Sequence, residues 1–168
     1  MPALTYDEEL QLLRLYSLSF PAYITCSHAP TPLLQKSTVL LFVKEGSLIG
    51  SVSYVNDNSM VYIYNLCVHP LHRRQSYATA LMQFLIMQIG AMDCCLEVES
   101  CNISAIRLYE KLGFTTANAA NSNTTTITTT GEQLGKHTIK MTRKGTAEAG
   151  QETAVSEYHD TIQVRDVD

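Results

Sequence analysis

Residues 60–114 read MVYIYNLCVHPLHRRQSYATALMQFLIMQIGAMDCCLEVESCNISAIRLYEKLGF, and the fold turns on them. Met60–Val68 is rich in β-branched and aromatic residues and predicts a strand. Past His69-Pro70 the apolar period changes. Ala78, Leu81, Met82, Leu85, Ile86 and Ile89 share one helical face, and Gly90 ends the run. Cys94–Glu99 is a second short strand. Asn102 then caps a helix carrying Ile103, Ile106, Leu108 and Tyr109, which Gly113 closes. A strand, a helix and a strand in this order predict a crossover near the centre of a sheet.

Working outward, Leu10, Leu13, Leu15, Tyr16 and Leu18 follow Asp7 at mixed helical spacing. They predict a helix over 7–19, with Asp7 as its N-cap. Pro21, Pro30 and Pro32 break the chain after it. Val39–Val43 and Leu48–Val55 are strands joined at Glu45-Gly46, and Asn56-Asp57-Asn58 turns into the central strand. Beyond Gly113 a strand begins near Phe114, with His137–Thr142 as its expected partner. Thr115 to Thr130 holds eight Thr, so 115–136 reads as an elongated surface loop. The expected architecture is one mixed α/β domain over 1–144.

The chain has 168 residues and 18.7 kDa, enough for one core. Its formal charge of −4 is uneven. Residues 145–168 hold six acids and one base, while 1–144 hold ten acids and eleven bases. The acidic stretch has little apolar content and reads as a solvated, disordered tail. A near-neutral domain argues against a nucleic-acid partner. No apolar run approaches the roughly 18–20 residues of a membrane helix, and MPALTYDEEL lacks a signal-peptide layout. Cys26, Cys67, Cys94, Cys95 and Cys101 form no C-x-x-C pair. They read as reduced thiols of a cytoplasmic or nuclear protein, and no metal-ligand spacing is present.

The turn HPLHRRQSYA carries the chemistry that the strands and helices do not need. A helix N-terminus exposes unpaired N–H groups and partial positive charge. Arg73 and Arg74 add two full charges. Arg74, Gln75, Ser76, Tyr77, Ala78 and Thr79 are spaced to ring a phosphate. The plainer alternative is a Ser76 N-cap beside solvated arginines.

The two blocks VYIYNLCVHPLHRRQSYATAL and LEVESCNISAIRLYEKLGF resemble the core of the GNAT superfamily of acyl-CoA N-acyltransferases. The family's pyrophosphate motif, [Q/R]-x-x-G-x-[G/A], falls on Arg73 to Ala78, with Ser76 where its first glycine is expected. Its N-x-x-A-I-x-L-Y block falls on Asn102 to Tyr109. The resemblance implies a GNAT-like mixed central sheet, splayed between two parallel strands and flanked by helices. It implies acetyl-CoA as co-substrate and no metal. The backbone of Leu66, Cys67 and Val68 would pair with pantetheine, and the Val68 N–H would polarise the thioester carbonyl. Arg73, Arg74, Gln75, Ser76, Tyr77, Ala78 and Thr79 would hold the pyrophosphate, and Asn102 would bond the cofactor.

Within that superfamily the likeness is strongest to protein N-terminal acetyltransferases. It implies Glu97 as general base and Tyr109 as general acid toward the departing thiolate. Tyr62 competes with Glu97, because methionine-type enzymes carry a catalytic Tyr on the corresponding strand. Phe20, Pro21 and Tyr23 resemble the loop with which those enzymes hold a peptide's first residues. The late hairpin here is Thr- and Asn-rich where such enzymes place tyrosines, which leaves small amines open as acceptors. Amine chemistry favours an α-amine: near pKa 7.8 it is about 14% neutral at pH 7, against about 0.04% for a lysine. The expected acceptor is therefore a protein or peptide N-terminus, with room for an auxiliary subunit. The alternatives are a polyamine-like small molecule and a non-catalytic acyl-CoA or partner-binding domain.

Overall fold

Alternation and capping build each element locally. A computed structural model describes residues 2–20, 37–57, 59–116, 138–145 and 161–167. Helix α1 (Tyr6–Ser19) starts at Thr5, not at the expected Asp7. Thr5 and Glu8 form a reciprocal capping box: the Glu8 N–H donates to Thr5 Oγ1 at 3.3 Å and the Thr5 N–H to Glu8 Oε2 at 2.8 Å. Asp7 accepts from Gln11 one turn on, at 2.6 Å. Leu12, Leu15 and Tyr16 face the sheet, while Leu10, Leu13 and Leu18 stay exposed.

Strands β1 (Ser37–Lys44), β2 (Ser47–Asn56) and β3 (Val61–Val68) form an antiparallel run. Glu45 and Gly46 both take positive φ, 51° and 76°, which suits a tight hairpin. A 3-10 turn at Pro70–His72 leads into helix α2 (Tyr77–Ile89), which Gly90 closes at φ 58°. β4 (Cys94–Glu99) returns parallel to β3, so the expected crossover is present. Asn102 caps helix α3 (Ile103–Lys111) as expected, its Oδ1 accepting from the Ala105 N–H at 3.2 Å. β5 (Thr115–Thr116) pairs antiparallel with β6 (Thr138–Arg143).

The expected tail needs correction. Residues 162–167 form strand β7 (Ile162–Val167), antiparallel to β1 from Ser37↔Val167 to Phe42↔Ile162. Ile162 is buried in the core. Arg165 grips Glu8 of α1 with Nε at 3.0 Å and Nη2 at 2.7 Å from Oε1. The domain therefore does not end at 144. The rest of that acidic stretch, 146–160 and 168, and most of the 115–136 loop lie outside the described residues.

The sheet of the described residues has seven strands in the order β5-β6-β4-β3-β2-β1-β7. Two cores flank it. Leu40, Phe42, Val52, Val61, Ile63, Leu96 and Val98 pack with Leu81 and Leu85 of α2 on one face. Val39, Leu41 and Cys67 pack with Leu12, Leu15 and Tyr16 of α1 on the other. β1 is buried on both faces, which explains its continuous apolar run.

Candidate active site

β3 and β4 are paired only at Val61↔Cys94, Tyr62↔Cys95 and Ile63↔Leu96. Past Ile63 they part. The cause lies in β3: between Tyr64 and Cys67 it advances three residues while β2 advances two, from Ser53 to Ser51. The extra residue makes a bulge, with Asn65 at φ 51°. The bulge inverts the phase of the strand. Val61 and Ile63 lie in the α2-side core before it, Val68 does so after it, and Cys67 faces α1.

A cleft of about 730 Å³ opens at this parting. Leu66, Cys67 and Val68 form one wall, and Asn102, Ala105, Leu108 and Tyr109 the other. The His69 N–H donates to Ile49 O on β2 at 2.8 Å. Peptide groups alternate along a strand, so those of Val68 point away from β2, toward the parting. The Val68 carbonyl accepts from Arg73 Nε at 3.0 Å, which steadies that end of the wall.

The floor is the start of α2. Arg73, Arg74, Ser76, Tyr77, Ala78 and Thr79 all line it, whereas Gln75 is exposed and outside the lining. Ser76 does not cap the helix with ordinary geometry. It sits at φ 63°, ψ 7° and its hydroxyl makes no capping bond. Arg74 is also left-handed, at φ 64°. Left-handed residues set among right-handed ones turn successive N–H groups toward one point, an anion-binding concavity. The first helical bond behind them is Ala80 N–H to Ser76 O at 3.0 Å, so the N–H groups before it have no helical carbonyl to meet. His72 and Lys111 also line the cleft, and no carboxylate does among the described residues. Lys44 donates to the Tyr77 hydroxyl at 3.3 Å and adds charge at the same helix start.

Tyr109 is buried, its ring 5.9 Å from that of Phe114. Burial pushes its hydroxyl up to about 12, so it carries its proton at neutral pH. Cys67 is a free thiol raised to about 11, first by burial, and is a poor nucleophile. Glu97 and Tyr62 do not line the cleft. Glu97 is exposed, opposite Lys140 of β6. Tyr62 is 42% exposed. Because Tyr62 is level with Cys95, it shares a face with Glu97 two residues on. That face is the one α1 packs on, while Tyr109 belongs to the other core. The candidate acid and the two candidate bases thus stand on opposite faces of the sheet.

Phe20 lines the cleft beside Ser19. Pro21 and Tyr23 lie outside the described residues. Ser19, His72, Ser104 and Lys111 are lining residues that sequence reasoning missed. Two of them had a visible signal: Lys111 falls three residues past Leu108 on the same helical face, and His72 adjoins the arginine pair. Among the described residues no three His, Cys, Asp or Glu side chains group to hold a metal. No helix among them is long and apolar enough to cross a membrane.

Comparison with known proteins agrees with this geometry. The chain is 40% identical over 58 residues to the [ribosomal protein bS18]-alanine N-acetyltransferase of Escherichia coli K12, a match spanning 33% of this chain and 39% of that relative. The crystal structure of the E. coli ribosomal-protein-S18-alanine N-acetyltransferase superposes with a TM-score of 0.65 at 20% identity, covering 89% of this chain and 96% of that one. The PaiA N-acetyltransferase of Thermoplasma acidophilum, in complex with coenzyme A, superposes at 0.59 and 13% identity, covering 84% and 95%. These likenesses show the fold. The model of the acetyltransferase (GNAT) family matches residues 10–114, and the chain belongs to that family.

Proposed function

We propose that this chain transfers an acetyl group from acetyl-CoA to a primary amine, namely the α-amine at a protein N-terminus. The observation that carries the reading is the parting of β3 from β4 beside a protonated, buried Tyr109. An extended pantetheine arm needs an unpaired strand edge, and Leu66–Val68 offers one. The anionic end needs cations and inward N–H groups, and Arg73 to Thr79 supply both. The Val68 N–H stabilises charge that develops on the thioester oxygen.

The neutral amine attacks the thioester carbonyl, so a C–N bond forms as the C–S bond breaks. Its proton leaves toward Glu97 through a water, and Tyr109 protonates the departing thiolate. Acid and base on opposite faces keep the two proton transfers apart. The amine enters from the α1 side, where Phe20 stands at the cleft. A likeness to an enzyme named as an N-acetyltransferase of a ribosomal protein's alanine favours a protein N-terminus over a free amine.

The test is an acetylation panel with labelled acetyl-CoA, peptides of varied first residue, and polyamines. Turnover on peptides with a free α-amine, lost on blocking it, is the expected result. Preference for a polyamine overturns the acceptor assignment. Acetyl-CoA binding without turnover on any amine overturns catalysis.

A further inference from the structure

The bulge that opens the cleft is buried under a polar cluster. Ser51 and Ser53 are fully buried on β2, on either side of the bulge, and both face α1. The Tyr16 hydroxyl of α1 lies 3.2 Å from Ser53 Oγ, and Ser51 Oγ lies 3.4 Å from Cys67 Sγ. Burial raises the Tyr16 hydroxyl to about 12. Buried hydroxyls are costly unless bonded. Asn65 itself holds a left-handed backbone, which asparagine accepts more readily than other side chains but less freely than glycine.

We propose that Tyr16 is a positioning residue for the cofactor: through Ser53, which pairs with Tyr64 beside Asn65, it holds the β3 bulge that turns Leu66–Val68 toward the cleft. This rests on the acetyl-CoA reading above. Tyr16 makes no part of the cleft lining. Its effect passes through the bulge. Without the hydroxyl, Ser53 loses its tie to α1, the left-handed turn at Asn65 beside it is held less firmly, and β3 gains conformations in which residues 66–68 pair less well with an extended ligand. The same helix ends at Ser19 and Phe20 in the cleft, so α1 links the acceptor side to the cofactor wall.

The experiment measures acetyl-CoA affinity by titration calorimetry, with melting temperature and steady-state kinetics on the same proteins. Tyr16→Phe keeps the ring. It should weaken acetyl-CoA binding about tenfold, the scale of one buried hydrogen bond, and raise KM for acetyl-CoA more than it lowers kcat. Leu12→Val removes packing from the same cluster without touching the polar atoms. It should lower the melting temperature and leave the affinity unchanged. Adding Asn65→Gly to Tyr16→Phe should restore much of the affinity, because glycine keeps positive φ without support. An unchanged affinity in Tyr16→Phe, an equal loss in Leu12→Val, or no rescue by glycine each overturns the proposal. A wild-type chain that binds no acetyl-CoA instead sinks the functional reading, and this proposal with it.

Discussion

The two sides of β3 are built to opposite rules. On the β7–β1–β2 side, strands pair along their length, from Ser37↔Val167 to Phe42↔Ile162 and from Thr38↔Tyr54 to Lys44↔Ser47. On the β4 side, β3 is paired at three positions and then left open. Three left-handed non-glycine residues, Asn65, Arg74 and Ser76, gather at the opening. One side spends its backbone groups on the fold. The other leaves them open on the cleft, with left-handed residues beside it. The well-paired side must therefore supply the stability that lets the open side exist.

Removing β7 should break this comparison most severely. Truncation after Gly145 exposes Ile162's site and the edge of β1, and frees Glu8 from Arg165. Burying one such Ile is worth about 1.5–3 kcal/mol, and the lost ladder and ion pair add to it. The expected loss is more than about 3 kcal/mol in urea denaturation, a large share of a typical 5–15 kcal/mol. An unchanged unfolding midpoint would mean that β7 is dispensable and that the α1-side core alone holds β1.

Substituting Tyr109 tests the open side without touching the paired one. Tyr109→Phe should lower kcat about 10²–10⁴-fold with acetyl-CoA affinity and melting temperature nearly kept. Glu97→Gln should then remove the low-pH limb of kcat/KM. If Tyr62→Phe is the crippling change and Glu97→Gln is mild, the base lies on β3, and the acid–base pair across the sheet has been assigned to the wrong strand.

These two sides were not equally legible in the sequence. The crossover could be read because α2 repeats its apolar residues at helical spacing and Cys94–Glu99 carries a short strand's pattern. Asn102, Gly90 and Gly113 announce helix ends by chemistry that depends on near neighbours. β7 could not be read that way. At a sheet edge IQVRDV needs few apolar residues, and its partners Ser37–Phe42 lie more than a hundred positions away. Its Arg165 looks solvated until Glu8 of α1 is brought to it. The cleft lining was legible as a motif, but its backbone was not. Nothing in VYIYNLCV marks a bulge except a lone Asn in an apolar run. Ser76 looked like a cap because serine usually caps. The turn instead holds Ser76 left-handed, a conformation that serine disfavours.

A smaller effect is expected from the ion pair that ties the C-terminal strand to α1. Burial works against the Glu8 charge, but hydrogen bonds from Arg165 and Thr5 outweigh it and hold the carboxyl below its usual range. A depressed carboxyl adds stability above its unfolded pKa and loses it as pH falls through the folded value. Arg165→Met should therefore cost about 1–2 kcal/mol at pH 7, since the pair is bidentate and both side chains are mostly buried. The gap from wild type should close as the pH is lowered below the usual carboxylate range. A gap that stays constant with pH would assign the loss to the apolar stem of Arg165 instead of its charge.

The smallest effect should come from giving the turn before α2 the residue its conformation prefers. Ser76 holds φ 63° with a Cβ, which costs about 1–3 kcal/mol relative to an unstrained site, and its hydroxyl returns nothing as a cap. Ser76→Gly keeps the backbone shape and removes that strain, so thermal stability should rise by about 1 kcal/mol. Glycine also widens the unfolded ensemble, which offsets part of the gain. The serine form already holds the left-handed backbone that glycine would keep, so acetyl-CoA affinity should change less than about tenfold. Stability that falls would show that the left-handed turn is held by contacts of the Ser76 side chain. Affinity that tightens far beyond tenfold would show that the serine Cβ crowds the anion, and that the open side of β3 is a binding site working below its capacity.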